Sequence, residues 1–331
     1  MATPFSYLSD RVSLSPRVLR LASLTALIVS IIIVFTGGVV RVTSSGLGCP
    51  TWPACDPSSL VPTAELGIHG VIEFSNRLFT GVIIVAVGWV IVAARLQRPR
   101  NRSITRLAWS QFWLVVANAV AGGVTVLTSL NPWVVAMHFV MAVALLTTTT
   151  LTWQRARDTS DEGASRGRLS SDSMTGGTRM SPTASALSWA LAGATLALVL
   201  AGTLVSGSGP HSGDSAAVPR MPFNWTGITV VHGILGAATL AIAVALWLVL
   251  SRVENRTARK RVSAFLVIAV LQSAVGVTQA FTGLPEILVA IHLLGAALVW
   301  VGVLRVLLEV NPTLFRGPSK AQTLPERVIS L

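Results

Sequence analysis

Charged residues are scarce in this chain. Only 11% of its 331 residues are Asp, Glu, Lys or Arg, whereas 52% are hydrophobic. Soluble domains carry about a quarter charged residues. This composition excludes an ordinary soluble globular domain and favours a protein that spends most of its length in a membrane.

Lysine is missing from every long apolar run. A helix needs roughly 20 apolar residues to cross a bilayer. The first run is followed by no small-residue cleavage site, so we interpret it as a retained span rather than a signal peptide. We therefore predict an all-α integral membrane protein with eight transmembrane helices. The runs cover residues 19–40, 67–94, 107–127, 133–153, 184–206, 226–251, 263–282 and 288–310.

Acidic residues are outnumbered, and the net charge is +12. With eight spans, all but three of the 25 Lys and Arg residues fall on one side of the membrane, the exceptions being Arg41, Arg77 and Arg220. Cytoplasmic loops carry such an excess. We therefore expect a multi-pass protein of the plasma membrane with both termini in the cytoplasm. Because topology accounts for the basic residues, no nucleic-acid partner is expected.

Only two cysteines occur, Cys49 and Cys55, and both fall in the first predicted outer loop. Disulfides form and persist on that side of a membrane. Three alternatives remain open: a structural disulfide, a redox-active pair, or free thiols. The spacing is longer than that of the usual C-x-x-C redox motif.

The two halves of the chain resemble each other. ANAVAGGVTVLT (117–128) aligns with VLQSAVGVTQAFT (270–282), and each segment is followed by a proline and a histidine-bearing span. His69-Gly70 aligns with His232-Gly233. Spans 1–4 thus correspond to spans 5–8, and we predict two four-helix bundles related by a pseudo-twofold axis along the membrane normal.

This repeat divides the chain into predicted domains. The first half covers 1–153 and the second covers 184–331. Between them, residues 154–183 contain Arg, Asp, Ser and Gly with almost no large apolar residue. That composition is typical of disordered segments, so we expect a disordered or loosely ordered cytoplasmic linker.

Four of the five histidines fall inside spans: His69 and His138 in the first half, His232 and His292 in the second. Ionisable residues inside a membrane are costly and indicate function by default. Two histidines on facing helices suit the two axial positions of a haem iron, whereas zinc usually takes three or four ligands. Interhelical hydrogen bonding is the alternative. His211, in an outer loop, is expected to be solvated.

Span 2 carries a polar stripe that span 6 lacks. His69, Glu73, Asn76 or Arg77, and Thr80 share one helical face. Glu73 and Arg77 are the predicted catalytic residues. Glu73 would shuttle protons or orient oxygen or water near the iron, and Arg77 would pair with Glu73 or with a haem propionate. The alternative is a Glu73–Arg77 ion pair that neutralises itself. We expect the first half to be reactive and the second to be structural or electron-transferring.

Two segments resemble the haem A synthase family: TGGVVRVTSSGLGCPTWPAC (36–55) and IEFSNR (72–77). The resemblance implies a membrane enzyme that oxidises the C8 methyl of haem O to a formyl group, giving haem A for cytochrome c oxidase. It implies haem b as cofactor on His232 and His292, the substrate haem O facing His138, and Glu73 as the essential carboxylate. Cys49 and Cys55 match a cysteine pair found in many members.

One position departs from the family pattern. Many members have a histidine where this chain has Asn76, and we predict that His69, two turns earlier on the same face, replaces it as a substrate-haem ligand. Because two turns span about 10 Å, two alternatives stay open: the substrate sits differently, or its iron has only one axial partner. The resemblance also implies a haem O synthase and the cytochrome oxidase assembly machinery as partners, and an unidentified electron donor.

Two other functions fit parts of the pattern. A di-haem b-type electron-transfer cytochrome would share the histidine pairs without needing Glu73 or the cysteine loop. A transporter with parallel repeats would usually have helices broken at mid-membrane, and no proline lies in mid-span here.

Overall fold

The computed structural model describes residues 11–166, 181–211, 213–214, 218–252 and 255–312, without side chains for 161–166. Over these ranges the fold is helical, with two isolated β-bridges and no strand. Eight helices are long and apolar enough to cross a membrane. They are α1 (Pro16–Val42), α2 (Gly67–Arg95), α3 (Arg102–Leu127), α4 (Pro132–Arg166), α5 (Pro182–Ser208), α6 (Trp225–Arg252), α7 (Arg256–Phe281) and α8 (Glu286–Val310).

Local sequence signals explain where several helices begin. Proline stands in the first turn of α1, α4 and α5, where its fixed φ suits a helix and its missing N–H costs nothing. Asn101, Ser181 and Asn255 precede α3, α5 and α7, and each side chain accepts a hydrogen bond from a free backbone N–H of the first turn.

Each set of four consecutive helices closes on itself. In the first half, α1 and α3 each contact both α2 and α4; in the second half, α5 and α7 each contact both α6 and α8. The halves meet where α8 packs on α1 and α4, and where α4 packs on α5. One buried apolar cluster belongs to the first half, whereas the larger one lies in the second half and takes in Leu27, Val143 and Leu146 of the first.

Polar contacts show which helix ends lie together. The backbone N–H of Leu14, just before α1, donates to Leu96 at the end of α2 (3.0 Å), and the Ser160 hydroxyl of α4 donates to the carbonyl of Pro16 (3.2 Å). Ser185 of α5 bonds Asn311 after α8 (2.5 Å). We call this end of the molecule, where α1 begins, the basic end. The opposite end, which carries loop 43–66 and the described residues of 209–224, is the loop end.

Helix α4 corrects one expectation. It continues to Arg166, so residues 154–166 are helical and not the disordered start of a linker. Adding residues to an existing helix costs far less than starting one, and the Gln154 side chain bonds Asp158 one turn later (3.1 Å). Residues 167–180 lie outside the described residues, and disorder there stays a prediction.

Candidate functional site

The two histidines of the second half face each other. The ring centroids of His232 on α6 and His292 on α8 are 6.3 Å apart, with the ring planes inclined by 69°. A metal–imidazole bond is about 2 Å long, and adding roughly one ring radius on each side gives about 6 Å between two rings on opposite faces of one metal. The spacing therefore fits two axial ligands of a single haem iron.

The two rings differ in their hydrogen bonding. Nδ1 of His232 lies 3.1 Å from the carbonyl oxygen of Leu198 on α5. A donated Nδ1–H leaves Nε2 unprotonated, the form that ligates a metal. Nδ1 of His292 is buried and makes no hydrogen bond of ordinary length to any residue that the structure describes. The donor set is thus two imidazoles among apolar helices, which suits haem better than a bare cation.

Glycines make room for these rings. A Cβ atom added to Gly202 would lie 3.2 Å from Cε1 of His232, and one added to Gly276 would lie 2.8 Å from Cε1 of His292. The second contact is shorter than real Cβ atoms tolerate. The sequence repeat included Gly276 in an aligned segment, 270–282, without indicating that it lies against a histidine ring.

His138 has the same setting in the first half. It is the seventh residue of α4, as His292 is of α8. Its ring lies against Gly122, where an added Cβ would come within 3.4 Å of Cε1. Its buried Nδ1 also lacks a hydrogen bond of ordinary length within the described ranges. Gly122 and Gly276 each lie five residues before the end of their helices, α3 and α7.

His69 is placed differently from the other three. It lies in the first turn of α2, is exposed, and its Nδ1 is 3.0 Å from the hydroxyl of Ser45, which follows the end of α1. Among the described residues, the rings of His69 and His138 do not make a contact like that of His232 and His292. The role of His69 as an iron ligand stays a prediction.

Glu73 is buried in α2, with 5% of its surface exposed. Its Oε2 accepts a hydrogen bond from the backbone N–H of Cys49 (2.7 Å), and its Oε1 pairs with Arg77 (2.5 Å). The ion pair expected as one alternative is therefore present. It does more than neutralise itself, because it is bonded to the cysteine loop, residues 49–55.

Arg77 uses all five of its N–H donors. Nε (3.1 Å) and one Nη2 hydrogen (2.5 Å) go to Glu73, and the other Nη2 hydrogen goes to the carbonyl of Cys49 (3.0 Å). The two Nη1 hydrogens reach the carbonyls of Thr51 (2.9 Å) and Ala54 (3.1 Å). A guanidinium has no further donor, so a propionate would bind Arg77 only by displacing Glu73 or a carbonyl of the cysteine loop.

The cysteine loop is closed and packed. Cys49 and Cys55 form a disulfide and both are buried, which excludes free thiols among the earlier alternatives. The Trp52 ring lies against Gly123 of α3, where an added Cβ would come within 2.5 Å of the ring. Because Gly122 next to it faces His138, the loop covers the loop end of the first bundle close to that histidine.

His211 corrects a second expectation, because it is not simply solvated. Its Nε2 lies 2.9 Å from the carbonyl of Leu284, and its own carbonyl accepts from Nε of Arg41 (2.9 Å). Arg41 also donates to the carbonyl of Ser206 at the end of α5 (2.8 Å). The sequence contains one indication that this loop is bonded: Arg41 is one of the few basic residues predicted on the outer side.

The comparisons with known proteins identify a family and named relatives. Residues 20–304 match the COX15-CtaA family model, described as cytochrome oxidase assembly protein. The chain is similar to proteins named haem A synthase. It is 33% identical to the one of Geobacillus thermodenitrificans over 115 residues, which is 34% of each chain. It is 32% identical to that of Lysinibacillus sphaericus over 124 residues, 37% of this chain and 40% of the relative.

These pairwise matches thus span little more than a third of each relative. The family match, in contrast, runs through all eight helices, from α1 into α8. The chain therefore belongs to the COX15-CtaA family of cytochrome oxidase assembly proteins, the haem A synthase family.

Proposed function

We propose that this protein is a haem A synthase, which oxidises the C8 methyl of haem O to a formyl group within the membrane. The observation that carries the proposal is the facing pair His232 and His292, spaced for one haem iron, in a chain of this family. A second observation supports it: the other half holds a buried carboxylate, Glu73, on the same helical bundle as His138.

The second half would bind haem b through His232 and His292. Haem b would supply electron transfer through its iron. The chain's own contribution is to orient the ligands: Leu198 sets the tautomer of His232, and Gly202 and Gly276 admit the two rings. Among the described residues, the ones found against these rings, Leu198, Gly202 and Gly276, are uncharged, which suits a centre that would carry electrons without proton chemistry.

The first half would bind the substrate, haem O, with His138 facing it. Glu73 is the catalytic residue proposed there, and it would hold or move a proton beside the substrate. The Cys49 N–H and Arg77 stabilise its carboxylate at one position. Arg77, predicted as catalytic, would act through Glu73 and the loop.

We further propose that the two halves, residues 1–153 and 184–331, are related by a pseudo-twofold axis with both termini in the cytoplasm. The matching ring of neighbours in each half supports the symmetry, and the gathering of arginines at the basic end supports the orientation. Proposed partners are a haem O synthase, the oxidase assembly machinery and an electron donor.

Co-expression with a source of haem O tests the function. Extracted pigments from cells with the unchanged protein should contain haem A. Glu73→Gln should lower haem A at least tenfold while the haem b spectrum is retained, because Glu73 lies in the other half. Glu65→Gln, an exposed carboxylate before α2, is the matched control and should behave like the parent.

The same experiment separates the alternative. A di-haem electron-transfer cytochrome is favoured by the facing histidines alone, and it would show haem b with no haem A in any of the variants. That result would reject the synthase proposal.

A further inference from the structure

Asn76, and not His69, lies at the depth of His232. Counted from the basic end, Asn76 is nineteen residues before Arg95, the last residue of α2, and His232 is twenty residues before Arg252, the last residue of α6. At about 1.5 Å per helical residue, the two depths agree to about 1.5 Å, whereas His69 lies about 10 Å nearer the loop end than Asn76.

The helices packed against these residues give the same correspondence. Helices α1 and α5 both start at a proline and are both 27 residues long. Thr36 lies twenty residues after Pro16, and Gly202 lies twenty residues after Pro182. The Thr36 hydroxyl is 2.8 Å from Oδ1 of Asn76, and Gly202 lies against the ring of His232. Thr36, which bonds Asn76, therefore occupies the same position in α1 as Gly202, which lies against His232, occupies in α5.

His138 completes the correspondence. It matches His292 in its position in the helix and in the glycine against its ring. Each centre thus has two corresponding positions, and three of the four are histidines: His138, His292 and His232. The fourth holds Asn76, hydrogen-bonded to Thr36.

We infer that the haem bound in the first half is ligated through its iron by His138 alone, with the Thr36–Asn76 pair lining the face that His232 covers in the second half. The inference rests on the proposed function, since it requires a haem in the first half. Carboxamides are not among the side chains that hold haem iron in proteins, which are His, Cys, Met and Tyr. The two centres would therefore differ in coordination as well as in their charged neighbours.

Spin state reports this difference without any need for turnover. A ferric haem with two imidazole ligands is low-spin, and one with a single imidazole is high-spin. The purified full-length protein is titrated with ferric haem B as the probe, and electron paramagnetic resonance and visible spectra are recorded at one and two equivalents. We expect one low-spin and one high-spin haem per chain.

Variants assign the ligands. Asn76→His should convert the second haem from high-spin to low-spin, and Asn76→Ala should leave it high-spin. His69→Ala should leave both spectra unchanged, and His138→Ala should abolish binding of the second equivalent. The low-spin haem of the second half serves in every sample as the control for correct folding.

Three results would overturn the inference. Two low-spin haems in the parent, one of which becomes high-spin in His69→Ala, would identify His69 as the ligand and leave the proposed function standing. A second haem that stays high-spin in Asn76→His would show that Asn76 does not face the iron. A chain that never takes a second equivalent would reject the substrate site and the proposed function together.

Discussion

At the scale of single residues, the buried Glu73 and the half-buried Arg77 are bonded to each other and to the cysteine loop. A charge facing lipid at mid-membrane costs roughly 2.5–3.5 kcal/mol even on the lower scales. Here the two charges face each other and the backbone of the cysteine loop. The sequence predicted the pair from its i, i+4 spacing, but it did not predict the loop carbonyls, because they lie about 25 residues away in the chain.

Arg77→Lys tests whether the guanidinium positions the loop. Lysine keeps the charge near Glu73 but has three donors in place of five, so at least two of the present contacts would be lost. A buried polar group left without a partner costs roughly 1–3 kcal/mol. We expect haem A output to fall about tenfold and a membrane-impermeant reductant to open the Cys49–Cys55 disulfide faster.

The matched control for this change is Arg102→Lys, an exposed arginine at the basic end, which should alter neither quantity. Unchanged disulfide accessibility in Arg77→Lys would contradict a positioning role, whatever happens to haem A output.

At the scale of helices, a glycine of the neighbouring helix lies close to each of three histidine rings. The order of crowding is Gly276, Gly202 and Gly122, for which an added Cβ would lie 2.8, 3.2 and 3.4 Å from the nearest ring atom. Alanine otherwise favours a helix over glycine by about 1 kcal/mol. Only the contact with the ring can therefore make these substitutions harmful.

Gly276→Ala should consequently lower the haem b content of the purified protein by more than half, because α7 must shift or His292 must turn. Gly202→Ala should have a smaller effect. Gly233→Ala, next to His232 but with nothing within 4 Å of an added Cβ, is the control and should retain full haem b content. The measurement is the haem-to-protein ratio, and equal ratios in all three variants would contradict the role given to the glycines.

At the scale of the whole molecule, the two bundles are joined by a few polar contacts within an apolar interface. The Trp300 indole N–H donates to the Thr147 hydroxyl between α8 and α4 (2.9 Å). The N–H of Gly46, after α1, donates to the carbonyl of Gly213, after α5 (2.7 Å). Arg41 ties the end of α1 to the end of α5. These contacts join the two halves that contain the proposed haem sites.

The orientation of the molecule is open to a direct test. In a Cys49→Ser/Cys55→Ser background, single cysteines are introduced by Ser58→Cys at the loop end and Ser251→Cys at the basic end, both exposed positions. A membrane-impermeant maleimide added to intact cells should label the first alone, and permeabilised cells should show both. The reverse pattern would place both termini outside the cytoplasm.

The sequence by itself determined what depends on composition and on spacing along the chain. Eight apolar runs predicted eight helices because the length of a span follows from bilayer thickness, and the i, i+4 spacing predicted the Glu73–Arg77 pair. Its expectation of disorder failed over residues 154–166, because polar composition does not stop a helix that has already formed.

Only the tertiary structure decided which residues meet across helices, since register between helices depends on packing and not on local sequence. It brought His232 to His292, placed His69 near the loop end beside Ser45, and set Asn76 against Thr36. The sequence repeat had aligned His69 with His232 by the residues that follow each. The packed helices, counted from a common end, instead align His232 with Asn76, because depth in a bundle is fixed by contacts between neighbouring helices.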